Sequence, residues 1–220
     1  MMTCHNWLVH KIFLTEIQQA ARKYAKGIML DIGCGKKPWE SIFAPYVEKH
    51  IGLDYQDSLH GLSKVDIVAT AYDTTLPDES VDTILCTAVL EHLERPCDAV
   101  KEMYRVLKPG GHTILTAPLF WHLHEEPRDF YRYTKHGLKY LFENAGFEVL
   151  EVKPLSGFIV TFGQELVYFL QRYRRGIPLR WAIDILSVLI QRSAYFLNRF
   201  DRSYNFTWLY LIIASKVKQQ

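Results

Sequence analysis

Two stretches of this sequence carry residue types at spacings that can do chemistry. The first is Asp31-Ile32-Gly33-Cys34-Gly35, at the end of the short apolar run 28–32. Glycines there let the backbone turn tightly and approach a ligand. Ligands of open α/β sheets bind at the carboxyl ends of strands. Asp54 follows 19 residues after Gly35 and ends a second apolar run, Ile51-Gly52-Leu53. A carboxylate at that place can accept both ribose hydroxyls of an adenosine. Two cofactor classes compete for such a loop. The dinucleotide fingerprint G-x-G-x-x-G uses its third glycine to pack helix on strand; Pro38 stands there. An acidic residue two before the first glycine is not part of that fingerprint either. A nicotinamide cofactor is therefore the weaker reading.

The second stretch is Trp121-His122-Leu123-His124-Glu125-Glu126-Pro127-Arg128-Asp129-Phe130-Tyr131-Arg132-Tyr133-Thr134. Polar and aromatic residues gathered in one loop suggest a binding site on a rigid scaffold, with Trp121, His122, Asp129, Tyr131 and Arg132 as substrate-binding candidates. A group transfer to a hydroxyl needs a proton removed, and histidine titrates in the right range. His124 is the first candidate base and His92 the second. Each has a plainer reading: His92 as a helix cap or carbonyl partner, His124 held by Asp129 or Glu125, and Arg132 pinning the loop to a carboxylate. His122, His124 and Glu125 also have the composition of a metal set. His-x-His is common by chance, however, and no metal is expected. Lys36 and Lys37 read as a solvated turn.

The elements that must position these residues follow from periodicity. Residues 8–25 place Leu8, Ile12, Ile17, Ala20, Ala21 and Tyr24 at helical spacing, with Gly27 as a stop. Strands are expected at 28–32, around 51–54, weakly at 66–69, at 83–86, at 112–117 and at 147–152. Pro96 and Asp98 open a helix ended by Pro109-Gly110-Gly111, and a further helix spans about 135–145. Strands alternating with helices argue for a mainly parallel α/β sheet covered on both faces. The tail adds two aromatic helices, 158–173 and 181–200, and a final strand, 206–217.

The chain has 220 residues, 49% hydrophobic and 23% charged, with a net charge of +2. Nothing in that balance suggests nucleic acid. The charge is uneven, though: residues 1–155 hold 17 Lys/Arg against 21 Asp/Glu, and residues 156–220 hold 9 against 3. Arg172, Arg174, Arg175 and Arg180, flanked by Tyr168, Phe169, Tyr173 and Trp181, suit a membrane interface. A lid or a homodimer contact is the alternative. No run reaches the length of a membrane span, and no signal peptide is evident. Cys4, Cys34, Cys86 and Cys97 show no paired spacing and read as small buried thiols of a cytoplasmic protein.

Five blocks in order, Leu30–Gly35, Gly52-Leu53-Asp54, Leu76–Asp82, Val89-Leu90-Glu91-His92-Leu93 and Arg105–Gly111, resemble the Rossmann-like S-adenosylmethionine-dependent methyltransferases of the ubiquinone-methyltransferase style. The resemblance covers roughly residues 25–153. It implies a seven-stranded sheet of order 3-2-1-4-5-7-6 with the last strand antiparallel. It also implies S-adenosylmethionine as cofactor: Asp31, Gly33 and Gly35 around the methionine part, Asp54 on the ribose, and Tyr55 along the adenine. Asp73, with Thr74 beside it, would receive the adenine amino group, and Thr87 would meet the methionine amine. Asp78 and Val81 depart from the aromatics usual in the third block. Gly33–Pro38 and His124–Thr134 also resemble a subgroup common among polysaccharide and glycan biosynthesis proteins.

The expected organisation is one domain: an N-terminal helix (1–26), a cofactor-binding core (27–155), a helical insertion (156–204) and a final strand (205–220). The expected function is methyl transfer, to oxygen, of a small-molecule, glycan or lipid-linked acceptor. A catalytically silent binding or adaptor protein on the same fold, or an NAD-dependent oxidoreductase, are the alternatives.

Overall fold

The computed structural model describes residues 5–217. The chain divides into two compact units. The larger holds Ile17–Pro118, Leu123–Lys153 and residues 210–217; the smaller holds residues 5–16, Leu119–His122 and Pro154–Leu209.

The larger unit is built on a seven-stranded sheet, β1 (Ile28–Ile32), β2 (Lys49–Asp54), β3 (Ile67–Val68), β4 (Val81–Thr87), β5 (Leu107–Pro118), β6 (Glu148–Pro154) and β7 (Leu209–Ser215), in the order β3-β2-β1-β4-β5-β7-β6. This is the expected order. The β1–β2, β1–β4, β2–β3 and β4–β5 pairs are all parallel. β7 is antiparallel to β5, with Gly110 N donating to Lys216 O and Lys216 N to Gly111 O. Met29, Leu30, Ile84, Leu85, Cys86, Ile114 and Leu115 are fully buried, as strands covered on both faces require. The helices are α1 (Trp7–Tyr24), the short α2 (Glu40–Phe43), α3 (Pro96–Val106), α4 (Lys135–Asn144), α5 (Phe158–Gln171) and α6 (Ile177–Leu197).

Several boundaries differ from expectation for local reasons. α3 stops at Val106, and Pro109-Gly110-Gly111 lies inside β5 rather than ending a helix. The β4–β5 register shifts between Val81 and Thr83. A Cβ on Gly111 would sit 2.7 Å from Leu107 Cδ1 and 2.9 Å from the Asp82 carbonyl, so only glycine passes there. The final strand begins at Leu209, because Tyr204–Phe206 form a 3-10 turn. Asp78, where the sequence departs from the family pattern, ion-pairs with Arg105, which also grips Glu102. Lys37 is not solvated: it is buried, and its Nζ lies 2.6 Å from Asp66 Oδ2, while Lys36 is exposed. Cys34 and Cys86 are buried as expected, Cys97 is exposed, and Cys4 lies outside the described residues.

In the smaller unit α5 and α6 pack through polar as well as apolar side chains. Thr161, Gln164, Ser187 and Gln191 are buried there. Gln191 Oε1 accepts from Leu8 N, and Gln164 Nε2 donates to His5 O. Asp201 accepts from Ile159 N at the start of α5, and a Cβ on Gly157 would strike its carboxylate at 2.6 Å. α6 leaves Ile177, Trp181, Ile185 and Leu189 exposed at four-residue spacing, one apolar stripe. No helix among the described residues is long and apolar enough to cross a membrane.

Candidate active site

β1 and β2 deliver their carboxylates side by side. Gly33 (φ +70°) and Gly35 (φ +49°) make the turn after β1. Gly35 N donates to Asp54 Oδ2 and Tyr55 N to Asp54 Oδ1, both at 2.9 Å. Each oxygen thus holds one main-chain donor and keeps a second lone pair. The buried carboxylate is fixed in orientation before any ligand arrives. Asp31 is also buried, with His50 Nε2 2.9 Å from its Oδ2. Burial raises the Asp31 carboxyl above its ordinary range, against the His50 contact. His50, which sequence reasoning overlooked, lies 19 residues from Asp31 in the neighbouring strand. The β-register, pairing Leu30 with Ile51, was the signal that places them together. Tyr55 is half-buried, with the Arg128 guanidinium 5.6 Å from its ring centre.

The remaining cofactor candidates separate. Asp73 is exposed and caps its own turn through Thr75 N. Thr74 is fully buried, and both its N–H and its hydroxyl go to Glu102 Oε1, at 2.8 and 2.7 Å. Its side chain therefore braces Glu102. Thr87, at the end of β4, accepts from Trp39 Nε1 at 3.3 Å. Burial pushes the Cys34 thiol beside this loop up to about 12, which makes it no nucleophile.

A second cluster forms where β4 ends. Leu90–His92 make a 3-10 turn, and the segment 128–133 is bonded onto it. Phe130 N and Tyr131 N both donate to Glu91 O, and the Tyr133 hydroxyl donates to Leu90 O. His92 Nδ1 donates to Arg128 O at 2.5 Å, and the His92 and His124 rings meet edge-on with centres 4.8 Å apart. His124 Nδ1 lies 3.4 Å from Asp129 Oδ2. Asp129 is covered; two Arg132 nitrogens and His124 N bond it, holding its carboxyl well below the usual range. Glu91 is 1% exposed, and burial pushes its carboxyl up to about 8. Sequence reasoning gave Glu91 no role, although it stands beside His92 directly after β4.

The substrate candidates fall in both units. His124, Asp129, Tyr131 and Arg132 belong to the larger unit, where Arg132 holds Asp129 and the Tyr131 hydroxyl donates to Glu94 O. Trp121 and His122 belong to the smaller unit. There Trp121 packs against Tyr168 and Trp208, and His122 Nδ1 lies 3.1 Å from Glu165. The metal set His122–His124–Glu125 is therefore not the grouping described within either unit.

Residues 30–115 match the family model described as "Methyltransferase domain". A probable S-adenosylmethionine-dependent methyltransferase of Mycolicibacterium smegmatis is 33% identical over 107 residues, 46% of this chain and 42% of that protein. The chain thus matches less than half the length of that curated relative. Among solved structures, the [4+2]-cyclase SpnF has a TM-score of 0.63 at 20% identity, covering 94% of this chain and 82% of the other. A putative methyltransferase of Bacillus halodurans has a TM-score of 0.61 at 18% identity, covering 93% and 99%. Sheet order, glycine turn and domain match agree: residues 30–115 are similar to the methyltransferase domain family, on the Rossmann-like fold shared with class I methyltransferase structures.

Proposed function

We propose that the chain is an active methyltransferase that uses S-adenosylmethionine and methylates an oxygen of a small-molecule, glycan or lipid-linked acceptor. The observation that carries this is Asp54: a buried carboxylate whose two oxygens are aimed by Gly35 N and Tyr55 N, each with a lone pair left for a ribose hydroxyl. When bound, S-adenosylmethionine supplies a methyl group on a sulfonium, a good leaving group. What remains for the protein is positioning and proton handling. Asp31, Gly33 and Gly35 line the methionine side, Asp54 and Tyr55 the adenosine side, Asp73 and the Thr74 backbone the adenine edge, and Thr87 the amine. In the acceptor's site His124 takes the hydroxyl proton, with His92 against its ring. Asp129, aligned by Arg132, orients His124. Tyr131 shapes the same loop. Calorimetry with S-adenosylhomocysteine tests the cofactor assignment; absence of binding to the folded chain overturns it.

We further propose that residues 156–204 make a peripheral contact with an anionic membrane surface through α6. Its stripe, Ile177, Trp181, Ile185 and Leu189, is exposed, as are Arg172, Arg175 and Arg180. Arg174 contributes less, because Asp184 holds it bidentately at 2.8–2.9 Å. Replacing the three exposed arginines with Gln should cost about 3 kcal/mol of vesicle affinity, roughly 1 kcal/mol each. Flotation with anionic vesicles at low salt is the check. A protein left in the soluble fraction, with a concentration-dependent dimer by ultracentrifugation, assigns the stripe to a second copy instead.

A further inference from the structure

We propose that Glu91, His92 and His124 form a binding site for one divalent transition-metal ion, with coordination positions left open for an acceptor oxygen. One ligating atom of each residue lies within 4.8 Å of the others. Glu91 is the first reason. Its side chain is 1% exposed, and its Oε2 has no hydrogen-bond partner among the described residues. A buried carboxylate oxygen without a partner is costly. A cation in the cluster removes that cost.

The histidines are the second reason. His92 Nδ1 faces the Arg128 carbonyl at 2.5 Å. A carbonyl only accepts, so Nδ1 carries the proton and Nε2 the lone pair. His124 Nδ1 is turned toward Asp129 Oδ2 at 3.4 Å, and Asp129 is itself anchored by Arg132 and by His124 N. Histidine ligands are held in this way, the far nitrogen on a carbonyl or carboxylate that fixes tautomer and ring orientation. The third reason is Glu125 at the rim, whose Oε2 lies 3.8 Å from His92 Nε2.

Two imidazoles with one or two carboxylates form a donor set for zinc, manganese, iron(II) or cobalt rather than for magnesium or calcium. Ligands about 2.1 Å from an ion stand roughly 3–3.5 Å apart, so the three side chains draw in on binding. Such an ion would polarise an acceptor hydroxyl, whose proton leaves to solvent water. With the ion bound, His124 is a ligand and no longer the base; that one step of the proposed function is replaced and the rest is kept. The ion's polarising role rests on the methyltransferase reading; the binding of the ion does not.

The test uses the full chain without an affinity tag, stripped with a chelator, dialysed and titrated with Co2+. A visible d–d absorption band should grow to one equivalent and be displaced by Zn2+. His124→Gln and Glu91→Gln, each checked for folding by circular dichroism, should weaken Co2+ binding at least 10-fold. Asp129→Asn should weaken it about 10-fold through the lost support of His124. No band at one equivalent, or a band unchanged in both ligand variants, overturns the site. Calorimetry with S-adenosylhomocysteine on the same samples keeps the two readings apart. S-adenosylhomocysteine binding without a Co2+ band removes the metal site alone. A band without S-adenosylhomocysteine binding leaves the metal site and removes the methyltransferase reading.

Discussion

The ends of β2 and β4 both present a buried carboxylate, and they treat it in opposite ways. Asp54 is held at both oxygens by main-chain N–H groups. Glu91 is as deeply buried, yet one of its oxygens has no hydrogen-bond partner among the described residues. Glu102, behind the sheet's Thr74 turn, is a third case: Thr74 and Arg105 take both its oxygens. The difference separates three duties. A carboxylate tied by backbone but with lone pairs left is a prepared recognition group. One saturated by side chains is a structural tie. One buried with an oxygen that no described residue bonds stands, in this fold, beside two histidines.

The sharpest way to test the contrast is at the β4 end. His124→Gln should lower methylation by about 100- to 10,000-fold and leave S-adenosylhomocysteine affinity nearly unchanged. Parallel loss of affinity and rate in steady-state kinetics and calorimetry would erase the distinction between the two ends. Next in size, Gly33→Ala should destabilise the fold by about 2–4 kcal/mol, from strain at φ +70° and overpacking. Its Cβ would lie 2.3 Å from Val89 Cγ2. Adding Val89→Ala should recover part of that loss in a denaturant melt; no recovery would place the whole cost in backbone strain. Asp54→Ala should cost a 10- to 100-fold loss in S-adenosylhomocysteine affinity by calorimetry, about 1.4–2.7 kcal/mol. Unchanged affinity removes Asp54 from the site.

The smallest effect is expected at Glu102. Burial works to raise its carboxyl, and the bonds from Arg105 and Thr74 outweigh that, so its folded pKa is lowered. A lowered acid contributes stability above its unfolded pKa, about 4.3–4.5, and loses it as pH falls through the folded value. Acid unfolding of the wild type should therefore steepen below about pH 4.5. Glu102→Gln should flatten that limb and cost about 1 kcal/mol at neutral pH.

What the sequence made legible was whatever is written within one short segment or one strand register. The glycine turn after β1, the strand-end place of Asp54 and most of the strands belong to that class, because apolar runs and turn residues dictate them locally; the sheet order was instead implied by the resemblance of five sequence blocks to a known family. Lys37 was misread, and the bracing of Glu102 by Thr74 was not foreseen, because the partners, Asp66 and Glu102, lie 29 and 28 residues away. A short polar side chain in a turn and a lysine beside another lysine carry no mark of such a partner. The Glu91 cluster was only half visible for the same reason. His92 and His124 were named singly, but their meeting depends on Phe130 N and Tyr131 N finding the Glu91 carbonyl.

Those main-chain bonds bear on the tempo of turnover. The segment ending in Tyr133 is stitched to the 3-10 turn by Phe130 N, Tyr131 N, the Tyr133 hydroxyl and the His92–Arg128 bond. Swinging it open as a flap would break all four together, at roughly 1 kcal/mol each and more for those that are buried. The penalty would recur in every cycle. Tyr133, 9% exposed, would also have to leave its place. On the proposed reading of this segment as one side of the acceptor's site, that side is a floor that stays put while acceptor and product exchange. If release of product limits the rate, the slow movement belongs to some other wall, and stiffening this segment should leave the release rate where it was.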